Sequence, residues 1–187
     1  MRTFVAAWPD EPTRRRLANL ELGREKNLRL VGPTRWHVTL RFLGEVTEDQ
    51  IGPLGDALVA GVEGLPGPLE CRLGPGTAWF SRVRVLQLPA HGLNALAEVV
   101  HEATAPIVAE PGGDPPFNGH LTLARAKGRL GAQAQAELAG IPFAATFPVA
   151  HVDLVASEPS AQGHVYTTLV RAPLGHPPEP RISPGGR

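Results

Sequence analysis

The residues best suited to chemistry in this chain come in two matched strings, "WHVTLRFLGEV" at 36–46 and "GHLTLARA" at 119–126. Each contains His-x-Thr-Leu, so His37/Thr39 and His120/Thr122 repeat one unit 83 residues apart. Both strings read as β-strands, in which alternate side chains share a face. His37, Thr39 and Arg41 then point one way, with Val38, Leu40 and Phe42 the other. His120 and Thr122 separate in the same manner from Leu121 and Leu123. The apolar set suits a helix layer, and two such strands side by side line a cleft with two imidazoles and two hydroxyls. That set suits phosphate-ester chemistry. An imidazole titrates near about pH 6.5, so at neutral pH one can be a base while the other stays an acid. Threonine hydroxyls donate to non-bridging phosphate oxygens without adding charge. One histidine would take a proton from water and the other would protonate the leaving oxygen, each transfer contributing about 10²–10⁴-fold. Such a hydrolysis needs no metal, and carboxylate or thiolate partners at ligand spacing are not evident around these histidines. One copy of the motif is uninformative, because histidines in strands are common; the duplication in matched surroundings is the signal.

The elements that position these strands follow from periodicity and punctuation. "RTFVAA" at 2–7 reads as a first strand. Asp10 followed by Pro12 is a helix start, with a cap and then a proline in the first turn. "VGPTRW" at 31–36 is a turn-rich approach to the strand of His37. Thr47 and Gln50 form a capping-box pattern, and Ile51, Leu54, Leu58, Val59 and Val62 follow at helical spacing, which predicts a helix over 48–62. Strands are expected at 69–74 and 83–89, a helix around 92–105, a loop at 110–119, a short helix at 129–140, and strands at 149–156 and 164–171. This order is an α+β layout and not a regular run of parallel βαβ units. Residues 1–172 are read as a single domain. Residues 173–187, with five prolines and three glycines, are read as a disordered tail.

Composition narrows the class of function. The chain has 187 residues, 42% hydrophobic and 19% charged, which fits a globular domain with a real core. Cys71 is the only cysteine, so no internal disulfide forms, and a reducing cytoplasmic home is the simplest reading. No segment approaches the roughly 18–20 apolar residues that cross a membrane. Net charge is zero, but residues 14–41 carry eight Lys/Arg against two Glu, while residues 42–70 carry six acids and no Lys or Arg. The basic stretch fits either a phosphate-bearing ligand or a solvated helix face.

The strings "MRTFVAAWP", "HVTLRFLGEV" at 37–46, "PFNGHLTLARAK" at 116–127 and "VASEPSAQGHVYTTL" at 155–169 together resemble the 2H phosphoesterase superfamily. Within it they resemble the RNA 2′,3′-cyclic phosphodiesterases, also called 2′-5′ RNA ligase-like proteins. The resemblance implies an α+β bilobal 2H phosphoesterase fold, with two antiparallel sheets related by a pseudo-twofold, helices outside and a central cleft. It implies hydrolysis of RNA 2′,3′-cyclic phosphate ends to 2′-phosphate, without metal or other cofactor. The reverse joining of such an end to a 5′-hydroxyl RNA through a 2′-5′ bond is implied as well. His37 would protonate the departing ribose 3′-oxygen and His120 would activate water. Thr39 and Thr122 would hold the phosphate oxygens, and Arg125 would bind phosphate, although its strand parity is wrong for the cleft unless the strand twists or ends near Ala124. Arg41 is either an RNA contact or a solvent-side charge. Trp36, Trp79, Phe80 and Tyr166 are base-stacking candidates or core. His91, His101, His151, His164 and His176 lack the threonine partner and are read as structural or surface residues. Ala156 before Ser157 departs from the family's aromatic position and leaves base preference open. The expected protein is a cytoplasmic monomer with RNA ends as its partner and no membrane. Two other functions stay open: a phosphodiesterase for another cyclic nucleotide or a 2′-5′ oligonucleotide, and a non-catalytic module that binds RNA ends.

Overall fold

The computed structural model describes residues 1–23, 25–80, 84–109, 116–160 and 163–175. In chain order the elements are β1 (Arg2–Ala7), α1 (Glu11–Ala18), β2 (Leu28–Leu30), a 3₁₀ turn (Pro33–Arg35), β3 (Val38–Glu45), α2 (Glu48–Glu63), β4 (Leu69–Leu73), β5 (Ala78–Phe80), β6 (Val85–His91), α3 (Asn94–Thr104), β7 (His120–Ala126), α4 (Ala132–Leu138), β8 (Ala145–Val149), β9 (His151–Ser160) and β10 (Gly163–Pro173). The strands follow one antiparallel path, β10-β9-β1-β3-β7-β6-β4-β8, with β2 added to β7 and β5 to β6. The path reads as two halves. β3 and β7, which carry the two motifs, meet in the middle through the pair Val38–Leu121. Moving outward, β1 matches β6, β9 matches β4 and β10 matches β8, which is a pseudo-twofold about the joint. The expected α+β layout with a pseudo-twofold is observed, its two halves joined through β3 and β7 in one ten-stranded sheet among the described residues.

Local sequence explains the helices. Asp10 accepts a hydrogen bond from the Thr13 N–H at 3.0 Å and starts α1, with Pro12 in its first turn. Thr47 and Gln50 close a capping box on α2, the Thr47 N–H donating to Gln50 Oε1 at 3.1 Å. Leu54, Leu58 and Val62 of α2 and Leu96, Ala97 and Val100 of α3 bury against Val5, Val38, Leu40, Leu121 and Leu123 of the central strands. Two glycines let α2 come close. A Cβ at Gly55 would press on Val170 of β10, and one at Gly61 on Ala103 of α3.

Three strands were not expected. β2 and β5 are three-residue additions, too short to show alternation. β8 alternates fully, with Ala145, Phe147 and Val149 buried and Thr146 and Pro148 exposed. Its proline is tolerated because β8 ends the strand path. The domain also runs past residue 172. Pro173 pairs with His151, the Leu174 side chain is buried in the core, and the Gly67 N–H donates to Gly175 O at 3.0 Å. Burial of Leu174 holds residues 173–175 to the body. Residues 176–187, including His176, and residues 110–115 of the expected loop lie outside the described residues.

Candidate active site

The Val38–Leu121 pair brings the two motifs together. Continuing that antiparallel register by one residue sets His37 across from Thr122 and Thr39 across from His120. The pair itself is buried toward the helices, so its flanking residues face the cleft. Each imidazole is tethered alike: His37 Nδ1 lies 2.7 Å from Arg35 O, and His120 Nδ1 lies 2.8 Å from Asn118 O. A carbonyl can only accept, so Nδ1–H donates in both and Nε2 is left to exchange protons in the cleft. The two histidines differ in surroundings. Phe4 stacks on His37 with ring centroids 4.9 Å apart, Tyr166 meets it edge-on at 5.3 Å, and Trp8 lies at 5.3 Å. Burial pushes the His37 pKa down to about 4, and the nearby charges of Arg125 and His120 add to the lowering against the Arg35 carbonyl, which opposes it. Among the described residues His120 has a single ring neighbour, Phe80 at 5.3 Å. Burial likewise raises the Tyr166 phenol above its ordinary value.

Arg125 reaches the cleft through a β-bulge. Against β6, Gln87 pairs with Thr122 and Leu86 with Ala124, so Leu123 is an extra residue on β7. Beyond it the parity reverses. Arg125, opposite Val85, joins the face of Thr122 and His120, and its charge is felt at both His37 and Tyr166. β3 carries the matching bulge. Thr39 pairs with Ala6 and Arg41 with Val5, leaving Leu40 extra. This corrects the expected cleft parity of Arg41. The residue is turned into the core, where it is 6% exposed and donates to Thr104 Oγ1 at 2.7 Å and to Val108 O at 2.9 Å. In its stead Phe42, 57% exposed and 6.1 Å from Phe4, holds the position on β3 that Arg125 holds on β7.

This geometry separates two arginines that look alike in sequence. Arg125→Ala is expected to lower kcat/KM on a cyclic phosphate roughly 10–100-fold, from one lost charge-assisted contact, with Tm unchanged. Arg41→Ala is expected to do the reverse, losing about 2–4 kcal/mol of stability in urea unfolding because Thr104 and Val108 lose a charged donor. An Arg125 variant with full activity would show that its guanidinium holds no substrate.

The other expected aromatics divide. Trp36 is buried core and Trp79 donates to Gln135 O at 2.9 Å, so both are structural. Tyr166 and Phe80 border the histidines. Phe4 and Trp8 were missed, although Phe4, Ala6 and Trp8 alternate along β1 and its extension, which is the signal for one face. Of the remaining histidines, His91 and His101 are exposed, His164 Nδ1 lies 2.9 Å from Ser157 Oγ, and burial lowers the half-buried His151. A groove of about 480 Å³ shares Trp8 and Tyr166 with this wall and is lined further by Asp10, Arg14, His151 and Arg171. Among the described residues no three His, Cys, Asp or Glu side chains converge as a metal-ligand set, and no helix is long and apolar enough to cross a membrane.

Residues 8–66 match the model of the LigT-like phosphoesterases. Over its full length the chain is 32% identical to the RNA 2′,3′-cyclic phosphodiesterase of Thermus thermophilus, 98% of which is covered. The chain belongs to the LigT-like phosphoesterase family. Structural likeness agrees. A Thermus thermophilus crystal structure matches this LigT-like phosphoesterase with a TM-score of 0.80 at 32% identity, over 93% of this chain and 98% of that one. Escherichia coli LigT complexed with phosphate matches with a TM-score of 0.69 at 25% identity, over 93% of this chain and 97% of that one. The family relation makes this chain an enzyme of phosphoester chemistry, and the cleft of His37 and His120 is its candidate centre.

Proposed function

We propose that the enzyme hydrolyses RNA 2′,3′-cyclic phosphate ends to 2′-phosphate, with His37 and His120 as the acid–base pair. The observation that carries this reading is the meeting of the two His-x-Thr units across Val38–Leu121, each imidazole tethered at Nδ1 and free at Nε2. The substrate comes from the name of the Thermus relative. Water attacks phosphorus and the P–O3′ bond breaks. His120 Nε2 takes the water proton, and His37 Nε2 gives one to the departing 3′-oxygen. Thr39 and Thr122 donate to the non-bridging oxygens, and Arg125 pairs with their charge. A 5′-hydroxyl in the place of water, deprotonated by His120 while His37 again protonates the departing 3′-oxygen, gives 2′-5′ ligation, and the two histidines exchange roles only when such a 2′-5′ bond is cleaved back. His37 is lowered to about 4 without ligand. It therefore takes up its proton from solvent once substrate is bound, because the anionic phosphate offsets Arg125 and raises the imidazole. The reading also includes a cytoplasmic monomer. Its one cysteine, Cys71, is buried and its thiol is pushed up to about 12, so it is inert to disulfide exchange.

The test is an oligoribonucleotide ending in a 2′,3′-cyclic phosphate, incubated with the protein in excess chelator. Conversion to a 2′-phosphate end is expected. A 3′-phosphate product, or none, overturns the proposal.

A further inference from the structure

We infer that Arg29 and Arg35 form a second anion subsite beside the catalytic cleft, which holds the phosphodiester on the 5′ side of the terminal nucleotide. This rests on the proposed RNA-end activity and deepens it: the substrate class becomes oligonucleotides over mononucleotide cyclic phosphates. Three observations converge. First, β2 adds to the edge of β7 with Arg29 directly opposite Arg125, and cross-strand partners share a face. The bulge at Leu123 turns Arg125 to the cleft, so Arg29 is carried to the cleft side too. Second, a Cβ at Gly163 would collide with both Arg35 Nη1 and Arg29 Nη2, so the two guanidinium groups meet over the same glycine at the start of β10. Third, the charges of Arg125 and Arg35 both act on Tyr166, whose ring stands edge-on to His37. Arg125, Arg29 and Arg35 therefore form one row of cations, from the reacting centre to the β10 hairpin. Among the described residues, neither Arg35 nor Arg125 has an ion-pair partner.

A row of guanidiniums spaced along a cleft edge fits successive phosphates of a single strand. Planar forks suit phosphate geometry, and the contacts carry no base information. A mononucleotide cyclic phosphate supplies one phosphate, which the two motifs and Arg125 take up. The next phosphate upstream has Arg29 and Arg35 before it. Gly163 gives those two guanidiniums their clearance, since any side chain there would occupy the space they now fill.

The test compares kcat/KM for a mononucleotide 2′,3′-cyclic phosphate and for a tetranucleotide ending in the same nucleotide. It uses the wild type, the Arg29→Ala/Arg35→Ala double variant and Arg35→Lys. A second readout is fluorescence-anisotropy binding of the tetranucleotide bearing a 2′-phosphate, across salt concentrations. The wild type is expected to prefer the tetranucleotide at least tenfold. The double variant loses that preference, chiefly through KM, and its binding becomes less salt-dependent by roughly 0.7 in logarithmic slope for each contact removed. Arg35→Lys keeps most of the preference. Equal kcat/KM for both substrates in the wild type, or an equal loss on both in the double variant, overturns the subsite and leaves the RNA-end reading intact. Turnover of neither substrate, with no salt-dependent binding, overturns both.

Discussion

Replacing either His37 or His120 with alanine is expected to cut turnover of a cyclic phosphate end by about 10²–10⁴-fold, the usual contribution of one positioned proton transfer. The double replacement is expected to cost little more than either single one. Acid and base act in the same transition state, and removing one leaves the other without its complementary step. The pseudo-twofold makes the two effects comparable, because each imidazole has the same Nδ1 tether and the same threonine across the strand joint. Their structural consequences should differ. His37 packs among Phe4, Trp8 and Tyr166, so His37→Gln is the better companion to His37→Ala, filling the space without a group that titrates near neutrality. His120, with Phe80 beside it, is less enclosed. Single-turnover rates and circular dichroism on each variant decide the matter. Loss of rate with a native spectrum supports the pair. Undiminished rate in either single variant removes that histidine from the chemistry, and with it the acid–base reading.

Much of the molecule was legible because its strongest signals are local. The capping box at Thr47/Gln50, the Asp10–Pro12 start and the helical spacing of Leu54, Leu58 and Val62 need no tertiary context. The duplicated His-x-Thr unit likewise gave both central strands. Illegible was what depends on the partner strand. Leu40 and Leu123 are ordinary apolar residues in ordinary alternation, and nothing in "TLRF" or "TLAR" marks them as bulges. A bulge is a property of the ladder and appears only when β1 and β6 are laid alongside. The consequence is large, because one extra residue reverses the side chains that follow it up to the next irregularity. Arg41, with the right parity on paper, is sent into the core against Thr104, and Arg125, with the wrong parity, is delivered to the cleft. The equivalence of Phe42 and Arg125 follows from the same pair of bulges. It gives one lobe an apolar wall and the other a cationic one. A nucleotide has the same division, with a base at one end and a phosphate at the other.

That division bears on the pH–rate profile. His37 sits against the apolar wall, with Arg125 and His120 as nearby cations, and its pKa is lowered to about 4. The free protein therefore keeps His37 neutral through the whole range above that value. Since kcat/KM reports the free enzyme and His37 must carry a proton to act as the acid, kcat/KM should be limited at neutral pH by the small fraction of free protein that holds this proton, a fraction that falls about tenfold per unit above pH 4. In the complex, which kcat reports, the phosphate anion faces Arg125 and His37 is raised, so this limitation should be weaker in kcat than in kcat/KM. Linkage fixes the sign of the stability change. Above about pH 6.5 both folded and unfolded chains hold His37 neutral and its contribution is flat. As pH falls from there toward 4 the unfolded chain binds the proton first, so folding weakens across that window. The weakening from this site should be absent in His37→Gln. Histidine ¹⁵N chemical shifts in the ligand-free protein measure the titration directly, and Arg125→Ala should move it upward by removing a cation. A His37 resonance that titrates near 6.5 in the wild type would mean that the wall of Phe4, Trp8 and Tyr166 admits water. The substrate would then have no protonation of His37 left to drive.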